Sequence, residues 1–195
     1  WSAGFSRSDL DSKQRLYDLG EKAAEYRQRR GYLTAFGGWS AGLRKGWVTR
    51  YTAGLAYENK TFSEVPEPEY PPAIPADREL AYPYFGIEIL QDKFQTAQNR
   101  EQIKRTEDFL VGTRFAATLG WSDENFGADR DAALYWLSAS HTFGDIGKSA
   151  VLVAADASGR IEDGDAVNAL MNVSARWYNQ QSDQRTFFAT LSGTW

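Results

Sequence analysis

The chain has 195 residues, 42% of them hydrophobic and 25% charged, with a net charge of −4 and a mean hydropathy of −0.54, averages that set one or at most two domains. They exclude a helical membrane protein, because no stretch approaches the roughly 18 to 20 consecutive apolar residues a transmembrane helix needs, and they offer no basic stripe for nucleic acid. Aromatic residues at 14%, with 7 Trp and 10 Tyr but no Cys, suit either a membrane barrel with interfacial rings or an aromatic-rich soluble sandwich.

In chain order, residues 1–6 open as a strand with no basic or apolar region of a secretory signal before it. Because the chain both starts and stops on Trp within strand-like patterns, it reads as a mature or excised piece. Residues 9–30 show no clean period; Asp11-Ser12-Lys13-Gln14 would cap a helix through Ala23-Ala24-Glu25, but a loop followed by a weak strand over 21–29 is the preferred reading. A strand over 32–43 turns at Arg44-Lys45-Gly46 into a second, where Trp47, Thr49, Tyr51, Ala53, Leu55 and Tyr57 alternate with Val48, Arg50, Thr52, Gly54, Ala56 and Glu58. The connection over 63–78, with Pro66, Pro68, Pro71, Pro72 and Pro75, reads as an irregular loop. Strands follow over 81–91, 111–121, 132–143, 149–161, 167–177 and 187–195, the last pair joined by the turn Gln181-Ser182-Asp183-Gln184. About ten strands result. Many run about 10 to 13 residues, longer than soluble strands and suited to a tilted membrane crossing.

Alternation alone does not say which face meets which medium. Trp47, Tyr57, Trp121, Trp177 and Trp195 sit near the ends of the apolar faces, where interfacial anchoring puts them and a sandwich core would not. The opposite face mixes small residues with single charges, Arg50, Glu58, Glu88, Arg114, Asp156 and Arg176, as a crowded polar lumen does. These features favour an all-β, antiparallel up-and-down transmembrane barrel over a soluble carbohydrate-binding β-sandwich, with residues 1–195 forming one barrel domain.

Three stretches carry a family likeness: Tyr82-Pro83-Tyr84-Phe85-Gly86-Ile87-Glu88; Asp92-Lys93-Phe94; and Arg105-Thr106-Glu107-Asp108-Phe109-Leu110-Val111-Gly112. Together with Phe126-Gly127-Ala128-Asp129-Arg130-Asp131, Ala157-Ser158-Gly159-Arg160 and Arg176-Trp177-Tyr178-Asn179-Gln180-Gln181-Ser182, they resemble bacterial surface-antigen barrels of the outer-membrane assembly-factor type (BamA/TamA-like). The resemblance spans residues 31–195. It implies a Gram-negative outer-membrane location and lipid as a partner. It also implies client outer-membrane or secreted proteins, and about ten strands of a barrel of roughly sixteen, the first and last several being absent. The family's Arg-Gly-aromatic lumenal loop is not in this sequence. The same comparison puts the turn over 181–184 in the periplasm and the connections 63–78 and 122–131 outside, which makes 93–107 an unusually long periplasmic link. Two other functions for such a barrel are a passive porin-like channel and the membrane anchor of a secreted enzyme.

No residue constellation argues for chemistry, and the expected function is non-enzymatic, with no cofactor, metal or catalytic residue. His141 stands alone on the apolar parity, without Cys or a second His. Asp123, Glu124, Asp129 and Asp131 do not have EF-hand spacing and read as a solvated acidic loop. Glu107 and Asp108 point to opposite faces of a strand, so structural bonding with Arg105 or a lumen partner is expected. Ser138, Ser140 and Ser174 lack a nucleophile elbow. Gly144-Asp145-Ile146-Gly147-Lys148-Ser149 lacks phosphate-loop spacing and reads as a hairpin turn.

Overall fold

A computed structural model describes residues 1–65, 74–99, 104–182 and 185–195. These residues form eleven strands and one short 3₁₀ turn, with no α-helix. The strands are β1 (Ser2–Asp18), β2 (Glu21–Arg44), β3 (Trp47–Ser63), β4 (Arg78–Gln91), β5 (Phe94–Gln98), β6 (Thr106–Leu110), β7 (Arg114–Ser122), β8 (Ala132–Asp145), β9 (Ser149–Glu162), β10 (Asp165–Ser182) and β11 (Arg185–Thr194). Nine of them make one antiparallel sheet in the order β1-β2-β3-β4-β7-β8-β9-β10-β11, and β5-β6 is a separate hairpin. The all-β, up-and-down meander read from alternation is therefore present. The sheet is open, with β1 and β11 each paired on one side only.

Tight turns set the meander. Leu19-Gly20, Lys45-Gly46 and Asp163-Gly164 each carry positive φ at both residues (48° and 89°, 51° and 80°, 52° and 89°), the two-residue type I′ geometry that matches strand twist. Two sequence expectations change here. Residues 9–30 form neither loop nor helix but the continuous arms of β1 and β2, paired from Ser2↔Gly38 to Asp18↔Glu21. Residues 21–29 and 32–43 are thus one strand. The arm is held by charge: Arg27 grips Asp11 with a two-pronged fork at 2.7 Å on each prong. Glu25, 1% exposed, takes Lys13 at 2.9 Å and Lys22 at 2.8 Å.

Register sorts the side chains into two unlike faces. One face carries Leu33, Trp39, Trp47, Tyr51, Leu55, Tyr57, Phe85, Phe115, Leu119, Trp121, Leu137, Phe143, Met171, Val173, Trp177 and Leu191, all exposed. The other face is crowded, although among the described residues the only second sheet is the two-stranded β5-β6 hairpin: Ala56, Leu80, Ala116, Glu58 and Arg160 are buried there. Their burial fits a concave, strongly twisted sheet. Tyrosines fill that concavity over glycines. A Cβ on Gly54 would lie 2.5 Å from the Ala35 carbonyl oxygen and 2.8 Å from the Tyr84 ring, and one on Gly120 would lie 2.7 Å from the Tyr82 ring.

The expected strand over 111–121 starts late, because β7 begins at Arg114. Val111 is not on the apolar outer face; it is buried with Ala97, Phe109, Ile146, Ala150 and Tyr178. Ala150 and Tyr178 are cross-strand partners on the concave face, so the β5-β6 hairpin, inserted between the interior strands β4 and β7, folds back and closes over the turn end of β8 to β10. Ile146 N donates to Gln95 Oε1 at 2.8 Å, and Thr142 Oγ1 to the Leu110 carbonyl at 3.5 Å. The hairpin occupies the long 93–107 link. Residues 146–148 form the expected hairpin turn, with Asp145 Oδ1 accepting from Gly147 N at 2.8 Å. Asp183 and Gln184, with residues 66–73 and 100–103, lie outside the described residues.

Gly54→Val is expected to displace Tyr84 and break its contact with Thr34 (3.2 Å), costing about 1–3 kcal/mol of stability as overpacking does. Denaturant unfolding of the two proteins measures it, and an unchanged midpoint would refute the packing argument.

Candidate binding cleft on the concave face

Strands β2 to β4 present Arg30, Tyr32, Glu58, Lys60, Arg78, Tyr82 and Tyr84 to the concave side, and β8 to β10 bring Trp136, Arg160 and Asn168 to the same place. Together they line an open cleft of about 490 Å³, within the size range of small-ligand sites. Its centre is Glu58, whose carboxylate accepts Arg30 Nη2 at 2.7 Å, Lys60 Nζ at 3.0 Å and Arg78 Nη2 at 3.2 Å. Across the cleft Arg160 pairs with Glu162, which also faces Arg130 at 3.7 Å. Arg30 lies 5.6 Å from the centre of the Tyr32 ring, a cation–π distance.

The six charges expected in a lumen all lie on the concave face. Arg50 and Arg114 both grip Glu88, at 2.6 and 2.8 Å, forming a triad across β3, β4 and β7. Glu58 is the hub of the cleft. Asp156 accepts from Asn172 Nδ2 at 2.8 Å, and Thr194 Oγ1 extends that chain to Asn172 Oδ1 at 2.8 Å. Arg176, opposite Leu152 and Thr190, is on the same face.

Sequence reading missed Arg30, Lys60 and Arg78 because the expected strands stopped short of them, and passed over Arg160 although it lies within the expected strand 149–161. Extending the parity of Glu58 by two residues reaches Lys60, and extending that of Asp156 by four reaches Arg160. Asn168 carried no such signal. It has φ 50° at a register irregularity between Val167 and Leu170, and this irregularity also places Val167 opposite Arg160 rather than on the apolar parity.

The expected aromatic girdle lies on the exposed face at both ends of the strands. Trp47 and Trp177 are toward the turn end and Tyr57 and Trp121 toward the loop end, while Trp195 pairs with Met171 partway along β10. Trp39 and Tyr51 stack at 5.9 Å, Tyr51 and Phe85 at 6.2 Å, and Trp177 meets Phe187 edge-on at 5.1 Å. Tyr57 donates to Glu79 at 2.5 Å and Trp177 Nε1 to Ser149 at 3.2 Å, so a polar tip at the strand end accompanies an apolar ring. His141 is on this face, 2.9 Å from Thr113 Oγ1 and 4.5 Å from the Phe143 ring. Asp108 accepts from Thr96 across the β5-β6 hairpin at 2.8 Å.

The acidic loop is knitted internally. Asp123 accepts from Asn125 N at 2.8 Å and Nδ2 at 2.6 Å, bonds that hold its carboxyl below the ordinary range. Arg130, 2.8 Å from Asp129, lowers that carboxyl as well. Asp129 N donates to the Glu79 carbonyl at 3.0 Å and Arg130 Nη2 to that of Asp77 at 3.1 Å, tying this loop to the start of β4.

No family model, curated protein or solved structure matches the chain.

Two outcomes are expected. Glu58→Ala strands three cations, two of them on largely buried side chains, and should cost about 3–5 kcal/mol; Glu88→Ala, with its more exposed arginines, should cost clearly less. Equal losses in denaturant unfolding would contradict this ranking. For the loop, both aspartates have folded values below the 3.8 of an unperturbed carboxyl, so their stabilisation is complete above that pH and is lost as pH falls through the lowered values. Amide protection at Asn125 and Gly127 should hold at mildly acidic pH and collapse only below 3.8; collapse at higher pH would rule the linkage out.

Proposed function

We propose that this chain is the lipid-embedded wall of a Gram-negative outer-membrane β-barrel, of the kind that assembles or translocates other proteins. One observation carries the membrane part: from the Tyr and Trp rings at one strand end to those at the other, the exposed face holds no Asp, Glu, Lys or Arg. In β3 that belt runs from Trp47 to Tyr57, about ten residue steps, or roughly 24 Å of membrane normal at a 45° tilt, close to the apolar band of outer-membrane barrels. Charge resumes beyond it at Arg7, Asp9, Asp11, Arg27 and Arg29 on the β1-β2 arm. A soluble sandwich would bury such a face against a second sheet, whereas here the apolar face is the exposed one.

Hydrocarbon tolerates no open sheet edge. The proposal therefore includes further strands pairing with β1 and β11 to close the barrel. The short turns at 45–46 and 146–148 would face the periplasm and the long connections 64–77 and 123–131 the exterior. Two features support an assembly or translocation role over an open pore: the β5-β6 hairpin covers part of the lumen at the turn end, and the likeness of the stretches quoted above is to assembly factors.

The intact protein should need detergent, migrate differently on gels when unheated, and have its Trp fluorescence quenched by bromolipids. Leu137→Arg, mid-belt on β8, should oppose insertion by about 2–4 kcal/mol, while Ser138→Arg, beside Asp156 on the concave face, should insert. A protein soluble and monomeric without detergent would sink the membrane reading. For the assembly role, depletion should lower folded outer-membrane or exported proteins; normal levels of these, with steady conductance in planar bilayers, would favour a passive channel.

A further inference from the structure

Among the described residues the concave cleft carries more cations than carboxylates. Arg30, Lys60, Arg78 and Arg160 line it, and among the described residues Glu58 and Glu162 are the carboxylates paired with them, two anions against four cations. Arg78 is the most telling member. Its side chain is 10% exposed, its Nη2 is committed to Glu58, and its Nε is buried without an acceptor among the described residues. A buried donor left unpaired is costly, and an arginine fork is well matched to an oxyanion. Trp136, Tyr82 and Tyr84 line the cleft with these cations. Trp136 is directed into the concavity yet is 42% exposed, an aromatic surface in a polar setting.

We propose that the cleft binds a ring-bearing oxyanion, a sugar phosphate or a uronic acid. The anion would meet Arg78 and Arg160, and the ring would lie against Trp136 and the tyrosines. The site is a property of the concave face and does not depend on the membrane reading. If that reading holds, the cleft lies on the lumenal side near the exterior loops.

The test follows Trp fluorescence and calorimetric titration of the intact protein at constant ionic strength, with glucose 6-phosphate, glucuronate, inorganic phosphate and glucose as probes. At least one sugar anion should saturate, the tighter one telling phosphate from carboxylate. Neutral glucose should not bind, and inorganic phosphate should bind about tenfold more weakly or worse. Arg78→Gln should weaken the sugar anion at least about tenfold. Arg160→Gln, outside the Glu58 cluster, should do likewise if the first variant fails to fold. Trp136→Ala should weaken the sugar anion and leave inorganic phosphate unchanged. Binding that persists without detergent would keep the site and remove the membrane reading. Failure of both sugar anions to saturate at millimolar concentration, equal affinity for inorganic phosphate and sugar phosphate, or unchanged affinity in both arginine variants would overturn the proposal.

Discussion

Successive residues of a strand face opposite sides of its sheet, and in this protein nine strands hold one register long enough for that rule to sort the whole sequence. The residues that pair across β3 and β4 show the result. Tyr51 meets Ile87 and Ala53 meets Phe85 on one side, while Arg50 meets Glu88 and Gly54 meets Tyr84 on the other. A slip by one residue would exchange the two sets, placing arginines among the apolar rings and tyrosines over no glycine. Register, concave-face chemistry and outer surface are therefore one constraint seen three ways. The Gly54–Tyr84 contact enforces it sterically, and the Arg50–Glu88–Arg114 triad enforces it by charge.

Where the register shifts, the structure gains something regular pairing would forbid. Between Val167 and Leu170 the ladder is interrupted, and Asn168 joins the cleft wall. At Ser40 to Leu43 a second shift precedes the Lys45-Gly46 turn. At residues 111–113 regular pairing gives way to single backbone bonds, Val111 N to the Lys93 carbonyl at 2.9 Å and Gln91 N to that of Thr113 at 2.8 Å. That break frees the β5-β6 hairpin to leave the wall and fold over the concave face.

Legibility in the sequence followed how apolar one side of each strand is. Strands with one apolar side, such as β3, β7 and β10, announced themselves by period 2, and the faces of Arg50, Glu58, Glu88, Arg114, Asp156 and Arg176 could be read from such alternation. The β1-β2 arm could not. Its pairs Asp11 with Arg27 and Lys13 with Glu25 join across strands charges that lie 16 and 12 positions apart in the chain, and an arm with no apolar face has no hydrophobic period to display. Val111 misled for the opposite reason. It continues the alternation of Thr113, Phe115 and Ala117, but its burial comes from Ile146 and Tyr178, contacts that no local pattern encodes. The Asp163-Gly164 dipeptide, a strong hairpin signal, was present and would have joined the expected strands 149–161 and 167–177 with the right turn.

The two charge clusters of the concave face differ in what they ask of their surroundings. Around Glu88 both arginines are about half exposed, so water can screen the surplus positive charge, and the triad serves as a cross-strand fastener. Around Glu58 Arg30 is 42% exposed, but the carboxylate and Arg78 are each 10% exposed, so the unmatched donor of Arg78 is shielded from solvent. The same arrangement of several cations on one carboxylate is therefore a screened tie in the first place and, in the second, the cluster proposed above to take an anion. Burial decides between them, and it comes from the curl of the sheet that brings β8, β9 and β10 across from β3 and β4.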